Sequence, residues 1–198
     1  DAKDLDDAVR VIKLENGNYE LGVHIADVSY YVRENSLLDQ EALIRGTSIY
    51  MLGRVIPMLP RELSNGICSL NAGEDRFTLS CSMEIDKKGK VISSEIYKGI
   101  IKVTERMSYT DVQKIIDASD EVTLKRYQPY IQEFKNMEEL AIILKNRRIE
   151  EGYLNLDIPE SKIDLDIDGH VTNISKYETT FAHEIIEQFM LTANETIA

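Results

Sequence analysis

The sequence predicts an α+β fold: a mixed or antiparallel sheet built from hairpins and packed against several helices. Three observations carry this. Runs of β-branched and alternating residues are joined by Asn-Gly or Asp-Gly breaks and an Asp-Lys-Lys-Gly break, apolar residues recur at helical spacing between residues 128 and 150, and no internal repeat, low-complexity tract or linker interrupts the 198 residues. One unit spanning 1–198 is expected, long enough to bury a real core.

Residues 8–32 read as strand-like, with 8–14 and 19–25 joined at Asn16-Gly17, the strongest short hairpin signal. The acidic run before residue 8 therefore enters at the edge of a sheet. Ser36 caps a helix over 37–45 and Gly46 stops it. A loop bounded by Pro57 and Pro60 follows over 55–63, stiff enough to form a wall. Residues 77–85 and 90–103 form a second hairpin around Asp86-Lys87-Lys88-Gly89. Ser108 or Thr110 caps a helix over 112–118, and a longer amphipathic helix runs from about 128 to 150 and ends at Gly152. A third hairpin crosses Asp168-Gly169, and a final helix starts near Thr180.

Lys and Arg total 23 against 35 Asp and Glu, a formal charge of −12. That is the wrong sign for a self-sufficient binder of polyanions, which works through clustered cations that displace counterions. A nucleic-acid substrate would need other domains or a local basic wall. Cys68 and Cys81 make no CxxC and have no His at zinc spacing, so they read as a reduced, buried pair in a cytoplasmic protein. No stretch reaches about 18 apolar residues and no secretory-type leader opens the chain, so no membrane partner is expected. The chain begins without Met and stops inside an apparent helix, and is read as an excerpt of a longer protein.

The densest chemical signal is the run Asp1-Ala2-Lys3-Asp4-Leu5-Asp6-Asp7. Like charges this close repel unless a cation sits among them, and a hard cation such as Mg²⁺ takes carboxylate oxygens while leaving positions open to phosphate. Phosphoryl chemistry is the first reading. A solvated acidic turn is the plain alternative, because Asp side chains bond nearby amides. Spacing alone does not choose between them.

Other constellations are weaker. Asp164-Leu165-Asp166-Ile167-Asp168-Gly169 imitates a calcium loop, but Ser175 stands where the closing Glu is required and the flanks alternate like strands, so it reads as a hairpin with solvent-facing acids. His183 and Glu187 are four apart on one helical face, a spacing that suits a metal, yet the zinc-protease pattern needs His where Glu187 stands. His24 reads as a structural strand residue and His170 as solvated. No Ser-His-Asp or Cys-His arrangement is evident, and Gly46-Thr47-Ser48 lacks the spacing of a phosphate-binding loop. Tyr50 and Tyr109 stand at polar breaks, where an aromatic could stack on a base.

Taken together, Asp4-Leu5-Asp6-Asp7-Ala8-Val9, Gly22-Val23-His24-Ile25-Ala26-Asp27-Val28, Arg54-Val55-Ile56-Pro57-Met58-Leu59-Pro60, Leu63-Ser64-Asn65-Gly66-Ile67-Cys68-Ser69-Leu70 and Phe189-Met190-Leu191-Thr192-Ala193-Asn194-Glu195 closely resemble the catalytic domain of the ribonuclease II/ribonuclease R family, most like its bacterial ribonuclease R branch. The motifs occur in the family's order and span essentially the whole chain. The resemblance implies a processive hydrolytic exoribonuclease that degrades single-stranded RNA from the 3′ end and releases nucleoside 5′-monophosphates with Mg²⁺. It implies that Asp4, Asp6 and Asp7 hold metal, with Asp6 and Asp7 catalytic and Asp6 most directly tied to cleavage. Tyr50 matches a tyrosine that packs on RNA near its 3′ end and helps set end-product length. Tyr109 and Glu187 resemble residues lining the pocket for the terminal nucleotides.

The match departs from the family in places. The family's cluster opens with a further aspartate upstream of Asp1, and Leu156 stands where a base-clamping Phe is often found. Flanking RNA-binding domains of the OB type and a further catalytic stretch are not in this sequence. The excerpt alone is therefore expected to be inactive, to work with other domains of the same parent chain, and to be monomeric. The competing readings are a carboxylate-based phosphatase or phosphotransferase using Asp4 and Asp6, which needs an apolar strand running into the first Asp, and a non-enzymatic RNA- or calcium-binding module.

Overall fold

The computed structural model describes residues 4–52, 54–154 and 161–198. Four antiparallel strands form the main sheet in the order β1–β2–β5–β6, where β1 is Asp7–Lys13, β2 Tyr19–Ala26, β5 Asp75–Ile85 and β6 Val91–Lys102. The Asn16-Gly17 turn joins β1 to β2 with Gly17 at φ 83°, a left-handed backbone that glycine adopts without a Cβ clash. Register sets Val11 opposite Leu21 and Leu21 opposite Met83, so alternate residues of three strands share one apolar face.

That face is the core. Val11, Leu21, Val23, Cys81, Met83 and Ile85 meet Met137, Leu140, Ala141 and Leu144 of α5 (Ile131–Glu150) and Ile185, Phe189 and Ala193 of α6 (Phe181–Ile197). Burying one such side chain contributes about 1.5–3 kcal/mol. Lys13 to Glu139 at 2.8 Å ties β1 to α5, and Lys145 to Glu184 at 2.5 Å ties α5 to α6. A second cluster of Ala26, Leu63, Cys68 and Leu70 lies under the loop that follows the proline segment. Both cysteines are free and buried, one in each cluster.

The remaining elements refine the sequence reading. The strand pattern does not continue to Val32. Asp27 accepts the Tyr30 amide and the Ser29 hydroxyl, which starts a helical turn, α1, at Val28–Tyr31. Ser36 caps α2 (Leu37–Arg45) and Gly46 ends it, as expected. The proline loop is more structured than a loop: β3 (Ile49–Met51) pairs with β4 (Arg54–Ile56), and after Pro60 the chain winds into a wide helical segment, Glu62–Ile67, kinked at Gly66. Ser108, not Thr110, caps α3 (Tyr109–Ile116), so Tyr109 is its first residue. Asp120 caps a short helix not read from sequence, α4 (Glu121–Arg126). The third hairpin is β7 (Ser161–Leu165) with β8 (Val171–Lys176), a separate two-stranded sheet. Among the described residues no helix is long and apolar enough to cross a membrane.

Candidate active site

The acidic run is placed by its backbone. The Leu5 amide donates to Ser69 Oγ at 3.1 Å, the Leu5 carbonyl accepts the Leu70 amide at 2.8 Å, and the Asp6 carbonyl accepts the Ala26 amide at 2.9 Å. Asp7 then enters the sheet opposite Ile25. Extended backbone sends successive side chains to opposite sides, and the electrostatics divide accordingly. Asp4 above all, with Asp6 as a smaller cause, raises the phenol of Tyr50, whereas that of Tyr109 is raised first by burial and then by Asp7. The Tyr50 hydroxyl donates to Asp4 Oδ2 at 3.2 Å.

Asp6 is the strained member of the set. Burial first, then the charges of Asp4 and Asp7, push its carboxyl above the usual range. An all-oxygen donor set whose central carboxylate is destabilised by its neighbours fits a hard divalent cation, which would relieve that repulsion. Asp4, Asp6 and Asp7 do not close into a tight cage. Among the described residues, the one group of three acidic or His side chains with ligand atoms all within 4.8 Å is Asp166, Asp168 and His170, all exposed.

That tighter group is a turn. Asp166 Oδ1 accepts the amides of Asp168 at 2.9 Å and His170 at 2.8 Å, and Gly169 sits at φ 85°. Asp86 does the same for Lys88 at 2.8 Å and Lys90 at 2.9 Å, with Gly89 at φ 80°. Two hairpins share one wiring, and only one has an acid, Asp168, between its ends. Its carboxylate is used by the backbone, as the hairpin reading of the calcium-like stretch expected.

Tyr109, at the start of α3, stacks on the His183 ring with centroids 3.9 Å apart and planes at 17°. Glu187 lies one turn further along α6, exposed, and accepts from the Tyr153 hydroxyl at 3.4 Å. The helices are tied where they begin: Gln113 Oε1 of α3 accepts the Ala182 amide of α6 at 3.0 Å.

The profile of the RNB domain matches residues 1–198. The chain belongs to the RNB-domain family. Ribonuclease R 1 of Lactococcus lactis is 54% identical over 198 residues, covering all of this chain and 24% of that protein. Ribonuclease R of Thermotoga maritima is 50% identical over 199 residues, covering all of this chain and 28% of that protein. The solved structure of Mycoplasma genitalium RNase R in complex with ribose-methylated single-stranded RNA superposes with a TM-score of 0.91 at 34% identity, over the whole chain and 30% of that one. The chain thus spans about a quarter of the length of the curated relatives it matches.

This RNB domain sets Tyr50 on Asp4 of the acidic run, and separately stacks Tyr109 on His183 of the helix that carries Glu187. Leu156 lies outside the described residues. His24 is structural, as read: its Nδ1 meets Ser80 Oγ at 2.8 Å, and burial, then Arg10, hold it neutral. Sequence reasoning missed Asp27. Its buried carboxylate pairs with Lys98 at 3.0 Å, and the Ser29 hydroxyl above all holds it below the usual range, so it fixes the end of β2 beside the acidic run. It also missed the contact of His183 with Tyr109, which only the capping residues Ser108 and Thr180, by setting the first turns of α3 and α6, could have hinted at.

Proposed function

We propose that this RNB domain is the catalytic part of a magnesium-dependent exoribonuclease that hydrolyses single-stranded RNA processively from its 3′ end and releases nucleoside 5′-monophosphates. The observation that carries the reading is an acidic run fastened by its backbone to the sheet, with Tyr50 donating to Asp4 and with burial, Asp4 and Asp7 raising the Asp6 carboxyl. Asp4, Asp6 and Asp7 would hold Mg²⁺, which when bound supplies an activated water and charge stabilisation for the leaving oxygen. Tyr50, 70% exposed on the β3–β4 hairpin, offers a face to a base, and its hydrogen bond to Asp4 sets that ring beside the acids. Tyr109 and Glu187 line the pocket for the terminal nucleotides.

At −12 the 198 residues repel a polyanion, so RNA capture belongs to other domains of the same polypeptide and the excerpt alone is inactive. A monomer in the cytoplasm is the expected setting, and two free buried thiols fit a reducing compartment. The other readings lose support. A phosphatase of the dehalogenase type needs a strand leading into its first aspartate, whereas among the described residues the strand nearest the run, β1, begins at its last acid, Asp7. The calcium-like stretch is a hairpin turn.

The test is incubation of the intact protein with labelled single-stranded RNA, with Mg²⁺ and with EDTA. Release of 5′-monophosphates that depends on metal is expected. Cleavage unaffected by chelation, or 3′-phosphate products, would overturn the assignment.

A further inference from the structure

We propose that His183 is a positioning residue that fixes the ring of Tyr109 at the α3–α6 junction, where it would meet RNA, an inference that rests on the exoribonuclease reading above. The imidazole is held on three sides. Its Nδ1 accepts the Thr180 amide at 3.1 Å, which completes a reciprocal cap with Thr180 at the first turn of α6. With Nδ1 an acceptor, the ring proton sits on Nε2, which faces the Tyr177 hydroxyl at 3.4 Å while the Tyr177 ring meets the imidazole edge-on at 84°. One flat face remains, and Tyr109 lies on it, 3.9 Å away and nearly parallel. Burial favours the neutral ring, which suits both the cap and the stack.

Tyr109 is 45% exposed, so one face of its ring is open to a base while the other lies on the imidazole. A ring with free rotation about χ1 would lose that placement; the imidazole removes the freedom by occupying one side. The α3–α6 junction has a tie of its own in Gln113 to Ala182 at 3.0 Å, so the packing of the two helices does not hang on the stack. His183 therefore acts through Tyr109: its ring orients and its Nδ1 keeps the ring itself in place.

Two substitutions separate these parts. His183→Phe keeps a flat ring and loses the acceptor; His183→Gln keeps an acceptor and loses the ring. Binding of a short single-stranded RNA is measured in EDTA on the intact protein for both, for Tyr109→Ala, and for the His183→Gln, Tyr109→Ala pair, with urea unfolding as the control for folding. His183→Gln should weaken binding about tenfold, the scale of one lost base-stacking surface. His183→Phe should bind within about threefold of wild type although it unfolds at lower urea, and the double variant should bind no worse than Tyr109→Ala. The proposal is overturned if His183→Phe binds as poorly as His183→Gln, if the two losses multiply in the double variant, or if Tyr109→Ala binds like wild type. Parallel cleavage assays with Mg²⁺ separate the two readings. Failure of the wild type to release 5′-monophosphates removes the exoribonuclease reading, while the binding pattern judges His183 independently.

Discussion

Replacing Tyr50 should cost RNA grip and almost no stability, and the structure gives the size of both effects. The ring sits on a two-stranded hairpin and is 70% exposed, so its removal leaves no cavity in the core, and surface changes of this kind stay within about 0.5 kcal/mol. A fully covered aromatic side chain buries about 150–250 Å², so roughly 100 Å² remains for a base at Tyr50 even on the lower figure. At about 25 cal/mol per Å² an area of that size is worth about 2.5 kcal/mol, or roughly 70-fold in affinity, within the range found for base stacking. The hydroxyl contributes less, because its bond to Asp4 is exposed to water. Tyr50→Ala should therefore lengthen the final oligonucleotide on a sequencing gel while long RNA is still degraded at near wild-type rate. Tyr50→Phe should stay close to wild type. An unchanged product ladder for Tyr50→Ala, or a fall in thermal midpoint comparable to a core mutation, would refute the reasoning.

Asp6→Asn should reduce cleavage by about 10²-fold or more in single-turnover assays and leave RNA binding nearly intact, because it removes a charge without changing shape. Its metal-free thermal midpoint should be equal to or above wild type, since burial, Asp4 and Asp7 all disfavour the ionised carboxyl; cleavage within tenfold of wild type would remove Asp6 from the site. Acid should weaken the fold through His24 and His183, both lowered from the ordinary 6.5 by burial. The unfolded chain protonates first, so their contribution is complete above that value and is lost as pH falls through it toward the lower native values. Urea midpoints at about pH 7.5 and about pH 5.5 should show this loss, and it should shrink in a His24→Gln, His183→Gln variant. The 198 residues alone should bind RNA weakly at ~0.15 M salt; sub-micromolar binding would place the basic surface within this chain.

What the sequence made legible was local. Asn16-Gly17 and Asp86-Lys87-Lys88-Gly89 fix their hairpins within a few residues, and Ser36 and Gly46 bracket α2, so those boundaries could be read directly. The four-residue helix at Val28–Tyr31 could not, because Ala26-Asp27-Val28 continues the strand alternation and only the capping bonds of Asp27 reveal the switch. The three-residue strands β3 and β4 are too short to show a period, and the segment Glu62–Ile67 has neither a strand nor a regular helix rhythm. In the candidate site, the acidic run announced itself by charge density. The stack of Tyr109 on His183 joins residues on two different helices, which no linear spacing encodes.

The way Leu5 and Asp6 are fastened separates shape from chemistry. Peptide groups, not carboxylates, hold this stretch to Ala26, Ser69 and Leu70. Apart from the exposed bond of Asp4 to Tyr50, folding gains little from acids here, and the crowding at Asp6 works mildly against them. On the proposed reading the motif is kept for its chemistry and not for its shape. Exchanging Asp6 or Asp7 for a neutral residue should therefore leave this stretch seated on the sheet, so that form and chemistry here can be changed one without the other.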